Sequence, residues 1–228
     1  MKKYAVIVAG GSGSRMKSDT PKQFMLLKGK PVLYQTIKSF LEAFQDLNII
    51  LVLPERHIEE GKGIAGQYFP DAQIQCTIGG DSRFDSVKNG LKLTDPESIV
   101  FVHDAVRCMV TPKLIRRCHD AAMEKGSAVP AVCSKDSIRI ADDTKNHSID
   151  RSIVRLIQTP QVFFAKDLIP AFNQPYSEIF TDEASVAEAF GLMIHLVEGE
   201  ESNIKITHPV DLAIAEFLMG NDDSTFNR

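Results

Sequence analysis

Tyr4-Ala5-Val6-Ile7-Val8-Ala9-Gly10-Gly11-Ser12-Gly13-Ser14-Arg15 is the stretch that decides the fold. Residues 4–9 are apolar without alternation, the pattern of a strand covered on both faces, as in a parallel sheet layered by helices. Three glycines within four residues follow, so the backbone there either approaches a ligand closely or takes positive φ. Phosphate oxygens are the usual reason, because successive N–H groups in such a turn form an anion-binding concavity. A tight βα turn without a ligand produces the same pattern.

The rest of the chain extends this reading. Residues 48–53, 73–78 and 98–102 are further Val- and Ile-rich runs that predict buried parallel strands. Pro31 opens a helix whose Leu33, Ile37, Phe40, Leu41 and Phe44 fall on one apolar stripe. Helices are expected over about 55–67, 82–93 and 112–125. The alternation predicts an α/β fold: a doubly wound, mostly parallel, Rossmann-like sheet in one domain, residues 1–228. Residues 134–153 break the pattern. Their Ile-polar alternation suits an extended β-arm, and because a lone two-stranded ribbon is marginal in water, the arm is expected to pack on a second subunit as a homodimer contact. Beyond it, Thr181 is read as the cap of a helix with Asp182 and Glu183 in its first turn, residues 193–197 as a strand, and Pro209 as the start of a last helix. Asp211, in the first turn of that helix, reads as a partner of its dipole.

Composition narrows the function. A 43% apolar and 25% charged chain is of ordinary globular type, and no apolar run approaches the ~20 residues that cross a bilayer, so a cytoplasmic protein with no membrane partner is expected. Cys76, Cys108, Cys118 and Cys133 lack C-x-x-C spacing and read as reduced thiols. A net charge of −4 gives no basic footprint for nucleic acid, so any phosphate chemistry must be local.

The glycine loop fits neither familiar phosphate motif. Met16 stands where the dinucleotide fingerprint needs its third glycine and where the P-loop needs its second. What remains is a loop with two cations, Arg15 and Lys22, the latter held by Pro21. Fixed positive charge is what attack at phosphorus needs, since positioning and electrostatic stabilisation carry that chemistry. In Val100-Phe101-Val102-His103-Asp104-Ala105-Val106-Arg107, Asp104 lies just past a strand's carboxyl end, where open α/β sheets bind ligands. A carboxylate there suits Mg²⁺, although a loop cap is the plainer reading; His103 is assigned to structure. Gly79-Gly80-Asp81-Ser82-Arg83-Phe84-Asp85-Ser86-Val87 is a second glycine turn that could close over a base or ribose, or be a capped βα turn and nothing more. Asn203-Ile204-Lys205-Ile206-Thr207 brings a further lysine to a strand end. Together these residues point to a magnesium-dependent nucleotidyltransferase.

The ordered set of these segments, with Pro21-Lys22-Gln23-Phe24, Asp150-Arg151, Gln158-Thr159-Pro160-Gln161 and Thr181-Asp182-Glu183-Ala184, resembles the 2-C-methyl-D-erythritol 4-phosphate cytidylyltransferase family along almost the whole chain. The resemblance implies a sheet of the nucleotidyltransferase type and transfer of CMP from CTP to methylerythritol phosphate in the non-mevalonate isoprenoid pathway, with Mg²⁺ as cofactor. It implies catalytic Arg15, Lys22 and Lys205, and Asp104 as metal ligand. CTP would lie against Ala9, Gly10, Gly11, Gly13, Gly80, Asp81 and Ser86. The sugar-alcohol phosphate would face Arg107, Ser137, Arg151, Thr159 and Thr181, with Ser137 and Arg151 carried on the arm into the partner subunit's site. Cys108 stands where the family usually has Pro, and Ser137 and Arg139 where its arm motif has Thr and Lys. A ribitol 5-phosphate cytidylyltransferase shares several of these motifs, and a non-catalytic nucleotide-binding module needs only the loops.

Overall fold

Strand β1, Lys3–Val8, is flanked on both sides by parallel neighbours, β4 at Leu47–Leu53 and β6 at Ile99–Asp104. The structure, a computed structural model, describes residues 1–10 and 20–220. Successive side chains of a strand point to opposite faces, and both faces of β1 are buried. Ala5 and Ile7 join Ile49, Leu51 and Phe101 in one core layer, whereas Val6 and Val8 join Ile50, Val52, Val100 and Val102 in the other. That is why these runs show no polar alternation.

Between β1 and β4 come a 3-10 turn at Lys22–Phe24, a short hairpin of β2, Leu26–Leu27, and β3, Lys30–Pro31, and helix α1, Val32–Ala43. After β4, helix α2, Ile58–Tyr68, leads to β5, Ile74–Ile78, which pairs with β4 in parallel. Helix α3, Arg83–Leu91, returns the chain to β6, and α4, Pro112–Lys125, continues to β7, Ser127–Cys133. Leu33, Ile37 and Phe40 of α1 and Leu114, Ile115 and Cys118 of α4 cover one sheet face; Phe84, Val87 and Leu91 of α3 cover the other. The sheet is doubly wound, as the sequence predicts. The bounds of α4 follow from chemistry at its ends. The Thr111 hydroxyl accepts from Leu114 N–H, Pro112 sits at the first turn, and Gly126 at φ +92° closes the helix in the left-handed region.

The predicted arm is a hairpin of β8, Ile138–Ala141, and β9, Asn146–Ile149, pairing only with itself among the described residues. Strand β10, Arg155–Ile157, and β11, Gln161–Phe164, then run antiparallel to β7, and β11 also to β6. Helices α5, Ala165–Ala171, and α6, Glu183–Ala189, precede β12, Leu196–Glu198, which pairs in parallel with β7, and α7, Pro209–Gly220, completes the described chain.

Four local expectations need correction. The cap of α6 is Asp182, not Thr181: its carboxylate accepts from Ser185 N–H while the Ser185 hydroxyl closes a capping box, and a carboxylate at that position suits the helix dipole better than a hydroxyl. Strand β12 starts at Leu196 rather than 193: ahead of it Met193 C=O and His195 N–H bond the Ser127 hydroxyl instead of the β7 backbone. Residues 203–207 form no strand; they are an extended segment tied by Ile206 N–H to Val106 C=O at 3.0 Å. Asp104 is the last residue of β6 rather than the one beyond it.

Candidate active site

The chain leaves β1 for β4 and β5 on one side and comes back to β6 on the other, so the carboxyl ends of β1 and β6 diverge at a switch point. Open α/β sheets bind ligands in that crevice. A cavity of about 250 Å³ lies there, walled by Ala9 and Gly10 just after β1, Lys22 and Gln23 from the turn, Gly80 to Ser82 ahead of α3, Arg83 and Ser86 from its first turn, and Asp104, Val106 and Lys205. Gly11, Gly13 and Arg15 lie outside the described residues.

The walls are locked by backbone bonds. Ala9 donates its N–H to Val52 C=O and its own carbonyl accepts from Gln23 Nε2, each at 2.8 Å, so the lip of β1 is fixed from both sides. Gly80 N–H donates to the buried Ser86 hydroxyl at 3.1 Å. A Cβ on Gly80 would sit 2.3 Å from Asp85 Cβ, so glycine is needed here for close packing of the turn on its own helix. Ser82 caps α3 by accepting from Asp85 N–H at 3.0 Å.

Asp104, 7% exposed, is the electrostatic centre. Lys205 Nζ lies 2.8 Å from Oδ2, Arg83 Nε 3.2 Å from Oδ1, and Arg107 Nε 3.8 Å from Oδ2. Burial alone would raise this carboxyl, but Arg83 and then Lys205 outweigh it and hold it far below the usual carboxylate range. Arg83 turns its two terminal nitrogens to Glu183, at 2.6 and 3.1 Å, in a bidentate pair. Lys22, 8% exposed, adds a further ammonium to the wall. The cavity thus gathers more positive than negative charge in a protein that is acidic overall, which is what a polyphosphate requires.

His103 next to it is fully buried and neutral: burial pushes its imidazole down to about 3. Its tautomer follows from its partners. Arg107 C=O can only accept, so His103 Nε2 carries the proton and donates at 3.2 Å; Nδ1 therefore accepts from the Thr159 hydroxyl at 3.0 Å, and Thr159 Oγ1 accepts from Asp104 N–H at 3.1 Å. The chain of bonds fixes the end of β6 and offers no titrating base near neutral pH.

Of the residues expected at the acceptor, Arg107 joins the cluster at Asp104 and the others lie outside the cavity wall. Arg107 touches Asp104, and its terminal nitrogens bond the carbonyls of Asn203 and Ile157 at 2.9 and 3.3 Å. Thr159 is buried in the histidine network, Thr181 is exposed ahead of α6, and Ser137 and Arg151 are exposed at the base of the hairpin, where Arg151 donates to Lys135 C=O at 2.6 Å. Cys108 packs with Leu27, Val32, Ile206 and Ala215, so apolar contacts hold the loop at that position. All four cysteines are free thiols. Among the described residues no helix is long and apolar enough to cross a membrane, and no group of three or more His, Cys, Asp or Glu could hold a metal ion.

The family model of 2-C-methyl-D-erythritol 4-phosphate cytidylyltransferase matches residues 4–221. The chain belongs to that family. A 2-C-methyl-D-erythritol 4-phosphate cytidylyltransferase of Bacteroides thetaiotaomicron is 42% identical over 219 residues, covering 96% of this chain and 100% of that one. One of Azobacteroides pseudotrichonymphae is 43% identical over 95% of this chain and 98% of its own. The crystal structure of 4-diphosphocytidyl-2C-methyl-D-erythritol synthase from Anaerococcus prevotii superposes with a TM-score of 0.83 at 30% identity, over 96% of each chain. Sequence reasoning missed Arg83 as a neighbour of Asp104 and Glu183 as its partner, because the ion pair joins positions 100 residues apart; the one signal was an arginine in a strand-end glycine turn.

Proposed function

We propose that this cytidylyltransferase transfers CMP from CTP to the phosphate of 2-C-methyl-D-erythritol 4-phosphate, giving 4-diphosphocytidyl-2-C-methyl-D-erythritol and pyrophosphate, in non-mevalonate isoprenoid precursor synthesis. The observation that carries this reading is the gathering of Lys22, Lys205, Arg83 and Arg107 about Asp104 at the switch point. An acceptor phosphate oxygen attacks the α-phosphorus; the bond from that phosphorus to its bridging oxygen breaks, and the electron pair leaves on pyrophosphate. One phosphoanhydride replaces another and no proton has to move, which agrees with a site whose histidine is neutral and buried. The chain's contribution is positioning and fixed positive charge. Lys22 and Lys205, with Arg15 from outside the described residues, stabilise charge developing on the α-phosphoryl oxygens. Gly80, Asp81 and Ser86 shape the wall for the cytidine.

Mg²⁺ fits the donor set: magnesium needs only one or two protein carboxylates when phosphates and waters complete its octahedron, and Asp104 is such a carboxylate in a polyphosphate-sized cleft. When bound, it offsets phosphate charge.

The acceptor half of the site is completed by a second subunit in this reading. The hairpin and the turn after it expose apolar side chains: Ile140 is 52% and Ile153 72% exposed, close in sequence to Ser137 and Arg151. A homodimer that covers these residues brings them to the partner's acceptor phosphate.

Purified protein with CTP and Mg²⁺ should release pyrophosphate rapidly with methylerythritol phosphate and slowly with ribitol 5-phosphate. Faster turnover of ribitol phosphate overturns the acceptor assignment, and no turnover with either overturns the reaction.

A further inference from the structure

Glu183 is 0% exposed and opens α6. A buried carboxylate needs a compensating partner, since leaving one unpaired costs several kcal/mol. Arg83 is that partner, with both terminal nitrogens on the two carboxylate oxygens at 2.6 and 3.1 Å. Stability does not explain the pair, because a well-packed apolar pair of similar volume commonly holds a fold as well as a buried ion pair does. Its geometry does point outward: the remaining Arg83 nitrogen, Nε, reaches Asp104 Oδ1 at 3.2 Å. A guanidinium offers a two-pronged grip to any carboxylate in reach. Here that grip is already occupied.

The anchoring of Glu183 is equally specific. Gln161, on β11 beside β6, donates its amide to Asp182 Oδ2 at 2.9 Å and accepts from Ala184 N–H at 2.8 Å. Residues on both sides of Glu183 are thereby bolted to the strand adjoining the one that ends in Asp104.

We infer that Glu183 is a positioning residue: by holding both terminal nitrogens of Arg83 it limits that guanidinium to a single contact with Asp104, leaving the carboxylate able to receive a divalent cation. Without Glu183, Arg83 turns its fork on Asp104 and brings an uncompensated positive charge to the cation's place. This inference rests on the proposed role of Asp104.

The test is Mn²⁺ binding to the enzyme–CTP complex, followed by electron paramagnetic resonance, in the parent, Glu183→Gln, Arg83→Lys and the double variant. Glu183→Gln should weaken Mn²⁺ binding about tenfold, since a unit charge a few ångströms from a divalent ion at intermediate dielectric is worth at least that much. CTP binding without metal should be unchanged or tighter, and excess metal should restore much of the lost turnover. Arg83→Lys gives Glu183 a cation with no second arm for Asp104, so it should bind Mn²⁺ as tightly as the parent or more tightly, and it serves if Glu183→Gln does not fold. The double variant should be no worse than the more affected single one, as residues of one relay are not additive. Parent-like Mn²⁺ affinity in folded Glu183→Gln, or weakened Mn²⁺ binding in folded Arg83→Lys, overturns the inference alone. A parent that binds no Mn²⁺ with CTP overturns the Asp104 assignment and the inference with it.

Discussion

Acidification should destabilise this protein through His103, and the size of the effect follows from its surroundings. The ordinary histidine value is 6.5, and burial takes this one to about 3. Between those values the unfolded chain binds a proton that the folded chain refuses, so stability is fully present above the ordinary value and is lost as pH falls toward the folded one. Moving from pH 7 to pH 5 costs about 2 kcal/mol, because pH 5 lies about 1.5 below the ordinary value and each unit is worth about 1.4 kcal/mol. The hydrogen bonds explain why the proton is refused. Nδ1 is an acceptor facing a hydroxyl that is itself accepting from Asp104 N–H, and a proton there would force the Thr159 hydroxyl to reorganise. Urea unfolding at the two pH values, for the parent and for His103→Gln, isolates the effect: the glutamine cannot titrate, yet can still donate to Arg107 C=O. Burial of Glu183 pushes its carboxyl up against the pull of Arg83, which makes an opposite contribution on acidification, but one common to both proteins that cancels in the comparison. Equal pH dependence in the two proteins would refute the buried neutral imidazole.

Three further outcomes are expected. Lys22→Ala should lower kcat by about 100- to 1000-fold, the size of losing one transition-state donor, with CTP affinity changed by about threefold or less in calorimetry; equal losses in both would place Lys22 in ground-state binding. Gly80→Ala should cost stability in thermal melts as well as nucleotide binding, since its Cβ meets Asp85 backbone atoms at 3.2 and 3.3 Å besides the side chain. Arg151→Ala and Lys22→Ala chains, each nearly inactive, should recover about one quarter of parent activity after denaturing and refolding as a mixture, because half of the dimers are then mixed and each mixed dimer holds one intact site. No recovery would mean that Arg151 serves the site of its own chain.

The parts of this molecule that were legible in the sequence are those set by local rules. β1, β4 and β6 could be read because a strand buried on both faces has no polar residue to spare, and α4 because Thr111, Pro112 and Gly126 mark its ends within one turn. The site was legible only as separate strand ends and glycine turns. What joins them are bonds between distant positions: Gln23 to Ala9, Thr159 to His103, Arg83 to Glu183. A lone arginine after a glycine turn and a glutamate opening a short helix carry no mark of each other, since their meeting depends on which strands become neighbours. Thr181 was misjudged for a related reason. Two adjacent residues could each cap α6, and the choice of Asp182 was made by Gln161, some twenty positions away.

That glutamine also constrains how the sequence can drift. Its amide is chemically two-sided, with the nitrogen facing the Asp182 carboxylate and the oxygen facing a backbone donor. Glutamate at the same place would set two carboxylates against each other, and an apolar residue at 182 would leave half of the amide idle in a buried setting. Positions 161 and 182 are therefore a linked character: a lineage can revise the pair, but changing either alone passes through a protein whose sixth helix has lost its mooring.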